Sequence, residues 1–89
     1  MTNQHPVSAE DAIRRASTLL GADPELLLEN LEELEDGSGY RIWHYVRGGG
    51  SLIVSSTDQS VLFASSIVDP AQHVEWFQEG RRTDESSLR

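Results

Sequence analysis

The apolar pattern of this chain changes period at Tyr40, from about 3.6 to 2, and that change limits what it can fold into. Upstream, apolar side chains recur every three or four residues, and downstream they alternate. Helices grouped at one end and strands grouped after them predict an α+β domain with an antiparallel sheet.

Ser8 is placed to cap a first helix, with Glu10 and Asp11 in the first turn, where the positive end of the helix favours carboxylates. Ala12, Ile13, Ala16, Leu19 and Leu20 form its apolar stripe, and Gly21 supplies a left-handed C-cap. Asp23 and Pro24 open a second helix, read through Leu27, Leu31 and Leu34 on one face and widened by Leu26 and Leu28. The turn "DGSG", Asp36 to Gly39, ends it. Three strands follow, Tyr40 to Val46, Leu52 to Ser56 and Val61 to Ser65, separated by "RGGGS" and "TDQS". Asp69 and Pro70 begin a third helix, with Val74 and Phe77 expected inside, Trp76 beside them and Gly80 closing it. The expected order is α-α-β-β-β-α, a three-stranded meander with helices packed on it. One domain spans residues 1–80, with 1–7 expected to be mobile and 81–89 a disordered polar tail.

Eighty-nine residues hide only about 60–65% of the surface that the unfolded chain exposes, so the core is thin. Without cysteine there is no disulfide, thiol nucleophile or cysteine-ligated zinc. Fifteen acids against seven bases give a net charge of −8, which repels nucleic acid and anionic lipid. No apolar run approaches the roughly 18–20 residues that span a bilayer. The start "MTNQHPVSAED" has neither the basic nor the apolar region of a secretory signal, so the expected compartment is the cytoplasm.

Little in the chain points to catalysis. The triglycine at 48–50 lacks the following helix and lysine of a phosphate loop and reads as a hairpin turn. His5, His44 and His73 come from separate segments, with no HxH or HxxxH pair to hold a metal, and each reads as a structural or surface histidine. No G-x-S-x-G elbow presents a nucleophile. No enzyme activity, cofactor or metal is therefore expected.

Two features point to protein binding. Asp23, Glu25, Glu29, Glu32, Glu33, Glu35 and Asp36 bring seven carboxylates into fourteen residues with no base among them. On a continuous helix, Glu25, Glu29, Glu32, Glu33 and Asp36 would line one exposed side, where like charges cost about 0.2–0.5 kcal/mol per pair. That side is either a solvated face or a docking surface for a basic protein. The second feature is the strand "YRIWHYVR". Alternation puts Arg41, Trp43, Tyr45 and Arg47 on one face and Tyr40, Ile42, His44 and Val46 on the other. Trp, Tyr and Arg are the types most enriched at binding hot spots. The Trp43/Tyr45 face is thus core under another helix, a contact with a second copy, or a partner surface.

From Gly39 to Glu79 the chain resembles the YrhB-like family of small bacterial proteins, which is grouped with immunity proteins of toxin systems. The resemblance rests on an aromatic strand after a glycine ("GYRIWHY"), a glycine turn into an aliphatic strand ("GGGSLIVSS"), a third strand ("TDQSVLFAS") and the helix "DPAQHVEWF". The family tends to open its aromatic strand with Gly-Trp, where this chain has Gly39-Tyr40. The resemblance implies the meander-plus-helix layout and a non-catalytic inhibitor or chaperone-like binder. The function expected from residues and resemblance together is a protein-binding module using Arg41, Trp43, Tyr45, Arg47, Glu29, Glu32, Glu33 and Asp36. Its partner would be a basic toxin; the alternative is a homodimeric accessory protein pairing through its sheet face.

Overall fold

The computed structural model describes residues 7–44 and 50–84. Helix α1, Ala9–Leu20, is closed at its start by reciprocal bonds: Ser8 Oγ accepts from the Asp11 N–H at 3.1 Å, and the Asp11 carboxylate accepts from the Ser8 N–H at 3.3 Å. Such a capping box satisfies two helix-end donors at once. All five residues of the expected stripe are buried, and Gly21 ends the helix in the left-handed region at φ 66°. Val7, at the edge of the segment expected to be mobile, is buried and donates its N–H to the Ser56 carbonyl at 2.6 Å.

The second helix departs from the sequence expectation. Helix α2, Pro24–Glu29, has the expected Asp23 cap and Pro24 start but runs for only six residues. Asn30 terminates it: its backbone N–H bonds to the Leu27 carbonyl at 3.1 Å and its side-chain amide to the Leu26 carbonyl at 2.8 Å. Leu31–Glu33 then form a strand, β1, antiparallel to β2, Gly39–His44, with Leu31 opposite Ile42 and Glu33 opposite Tyr40. Strands β3, Gly50–Ser55, and β4, Val61–Ser65, complete the sheet in the order β1-β2-β3-β4, all antiparallel. The meander therefore has four strands, not three, and the element order is α-α-β-β-β-β-α. The physical reason is tertiary. As a helix, residues 31–34 would keep both leucines on one side and stack like charges. As a strand they give β2 a partner and send Leu31 and Leu34 to opposite faces of the sheet.

Helix α3, Pro70–Gln78, is capped by Asp69, whose carboxylate accepts from the Ala71 N–H at 2.9 Å. The sheet lies between two cores. On one face Ile42, Leu52, Val54 and Val61 pack against Ala12, Ile13, Ala16, Leu19, Leu20 and Leu27. On the other, Ile53 and Leu62 pack with Leu34 and Phe77 of α3, flanked by Val74 and Trp76. Burying each large aliphatic or aromatic side chain contributes about 1.5–3 kcal/mol, so both layers are needed in so small a domain. Helix α3 turns a different residue inward than expected. His73 and Phe77, four apart, are buried, while Val74 is half-buried.

Two glycines are required where backbones crowd. A Cβ on Gly39 would lie 2.6 Å from the Val54 carbonyl oxygen and 3.2 Å from the Phe77 ring. One on Gly50, at φ +143°, would lie 2.5 Å from the Ala64 carbonyl oxygen. Gly48 and Gly49 lie outside the described residues, as do Tyr45, Val46 and Arg47. The expected tail begins in contact with the fold. The Thr83 N–H bonds to the Val61 carbonyl and its Oγ1 accepts from the Phe63 N–H, both at 2.8 Å. Residues 85–89 lie outside the described residues.

Candidate protein-binding site

The acidic run is divided among three elements by the early end of α2. Glu25 and Glu29 stay on α2, Glu32 and Glu33 sit on β1, and Glu35 and Asp36 occupy the turn before β2. The single charged helix side expected from the spacing does not exist. Instead, Glu32, Glu33, Glu35 and Asp36 line a groove of about 430 Å³ between β1 and α3, with Leu34, Arg41, Ala71, Val74 and Gln78. Glu29 is exposed but is not part of this lining. Three of the four expected acidic site residues thus meet, joined by Glu35.

Arg41 lies under the groove, not at its surface. Its side chain is only 7% exposed, against 53% for Glu32. Nη1 donates to Glu32 Oε1 at 3.3 Å and Nη2 to the Pro70 carbonyl at 2.6 Å, while the guanidinium stacks 5.2 Å from the Trp43 ring. Of the alternatives open for its strand face, Arg41 itself takes the core one: it fastens β1 and β2 to the start of α3. Removing a charged group from water is costly, and these bonds offset the cost except at Nε, which is buried without an acceptor among the described residues. Trp43 is half-buried, and its Nε1–H donates to the same Glu32 oxygen at 3.4 Å. Of the expected aromatic and arginine face, Arg41 and Trp43 are therefore placed together with the acids, and Tyr45 and Arg47 lie outside the described residues.

Asp36 is held ionised. Its Oδ1 accepts from the Ser38 hydroxyl at 2.6 Å and the Ser38 N–H at 3.0 Å, and its Oδ2 from Gln78 Nε2 at 2.9 Å. The Ser38 bonds, aided by Gln78, keep its carboxyl below the usual aspartate range. The groove therefore carries negative charge at neutral pH, with Gln78 tying its rim to α3.

His73 is the buried polar residue that sequence patterning did not place inside, although its spacing of four from Phe77 was visible. Its Nε2–H donates to the Leu62 carbonyl at 2.9 Å, which fixes the tautomer and leaves Nδ1 to accept from Ser51 Oγ at 3.0 Å. Burial holds the ring's pKa below the ordinary histidine value, outweighing the bond to Leu62, and the charge of Arg41 lowers it further. With both ring nitrogens engaged, His73 joins the sheet to α3. Among the described residues, no group of three or more His, Asp or Glu is placed to hold a metal ion, and no helix is long and apolar enough to cross a membrane.

Comparison of the chain with protein-family models, curated proteins and solved structures gives no match.

Proposed function

We propose that this chain is a non-catalytic cytoplasmic binding module whose acidic groove receives a basic protein. The supporting observation is the convergence of Glu32, Glu33, Glu35 and Asp36 on one groove, with Arg41 buried beneath them as the one base in its lining among the described residues. A charged rim of this kind sets on-rate and partner choice, and single rim pairs contribute little affinity each. The resemblance to the immunity-related family makes a cognate toxin the first partner to try. The homodimer reading draws less support, because Arg41, Ser51 and Ile53 of that sheet face are buried, with Phe77 of α3 packed on Ile53.

The test is capture of partners by the wild-type chain and by a charge-reversed variant, Glu33→Lys with Glu35→Lys, followed by reconstitution from purified components. The reading expects a basic protein that forms a stoichiometric complex with wild type only, weakened by salt. A complex that survives charge reversal and high salt would place binding elsewhere.

A further inference from the structure

The two edges of the sheet are treated differently. The β4 edge is closed by the chain itself, since Thr83 takes up the outward Val61 carbonyl and Phe63 N–H. Among the described residues, no segment pairs with the β1 edge. At either end of β1, Asn30 and Leu34 bond inward to Trp43 and Gly39, and antiparallel alternation places Glu32 inward between them. The N–H and C=O groups of Leu31 and Glu33 consequently point away from the sheet. No bond to them is found among the described residues. Beside this edge runs the acidic groove, with Arg41 in its lining, more than nine-tenths buried and with one N–H that has no acceptor among the described residues.

We infer that β1 is a strand-addition edge for an extended, positively charged segment of another protein. This rests on the functional reading above and specifies how the partner binds. Outward backbone groups supply the hydrogen bonds, as in other cases where a peptide extends a sheet. Alternate side chains of the incoming strand fall on the groove side, where Glu32, Glu35 and Asp36 receive arginine or lysine. A second copy of this chain is the wrong occupant. Antiparallel edge-to-edge pairing centred on Glu32 or on Glu33 would set that residue against its own counterpart, and like charges directly opposite destabilise a strand pair.

The probe is a synthetic hexapeptide of alternating arginine and valine, with a glutamate–valine peptide as control, titrated into isotope-labelled full-length protein. Strand addition expects the Leu31 and Glu33 amide resonances to shift and their hydrogen exchange to slow. Two variants separate backbone from charge. Glu33→Gln keeps the N–H and should weaken binding about threefold. Glu33→Pro also removes the outward donor, at an edge position where proline is tolerated, and should weaken it about a further tenfold. Equal affinities for the two variants, with the Leu31 and Glu33 amides unmoved, overturn strand addition while leaving charge-dependent docking intact. Absence of any binding by the cationic peptide also overturns it and reduces the acids to edge protection. If Glu33→Pro does not fold, the amide shifts and exchange of the wild type decide.

Discussion

Replacing His73 by leucine tests the joint between sheet and α3. The ring is 1% exposed and carries two hydrogen bonds, to the Leu62 carbonyl and from the Ser51 hydroxyl. Leucine fills similar space but leaves the Ser51 hydroxyl buried without its partner, at about 1–3 kcal/mol, and takes one bond from the Leu62 carbonyl, which antiparallel alternation also pairs with Ile53 of β3. Its own burial offsets part of this loss, since leucine gains more than histidine on leaving water. The net expectation at neutral pH is a loss of about 1–3 kcal/mol. The pH dependence is the sharper test. Because the folded pKa of His73 lies below its unfolded value of 6.5, the unfolded chain takes up a proton that the folded chain refuses. Its stabilising contribution is complete above that value and is lost as pH falls through it toward the folded pKa. One proton can give a slope no steeper than about 1.4 kcal/mol per pH unit. Urea unfolding of both proteins, followed by tryptophan fluorescence from about pH 7.5 to about pH 4.5, measures the gap between them. The gap should be constant at the upper end and narrow below the unfolded pKa. A gap that stays the same across the range would refute a His73 held uncharged by burial.

Further predictions follow from the same packing. Gly39→Ala should cost about 1–3 kcal/mol in thermal or urea unfolding, because the new Cβ would lie 2.6 Å from the rigid Val54 carbonyl. Glu32→Gln, which leaves the Arg41 guanidinium without its counter-charge, should cost about 1 kcal/mol, a value discounted because the Glu32 side chain is half exposed; no loss in urea would show that the pair is worth nothing to the fold. Asp36 and Asp58, both held ionised by serine bonds, should add an acid transition below the ordinary aspartate value of 3.8, where their contribution disappears on protonation. Replacing Ser38 and Ser60 by alanine should move that transition toward higher pH in an acid titration of the circular dichroism signal.

Most elements were legible because their signals are local. Ser8, Asp23 and Asp69 each cap a helix with a side chain that reaches only two or three residues along the chain. The stripe of α1 and the alternation in β3 and β4 likewise needed no knowledge of the partner surface. β1 was not legible. "LEEL" is a good helical sequence by propensity, and nothing in it states that β2 lies alongside with unpaired backbone groups. The candidate site suffered the same fate. Its acids were visible as a run, and Arg41 and Trp43 as neighbours on one strand face, but their meeting depended on where α2 stopped.

The sequence by itself determined the α+β class, the caps, the three hairpin-linked strands β2 to β4 and the acidic character of residues 23–36, since each follows from residue type and spacing. Only the tertiary structure decided that residues 31–33 extend the sheet, that Arg41 goes under the surface and that His73 turns inward. Those outcomes depend on hydrogen bonds and burial between segments distant in sequence, which local propensity does not encode.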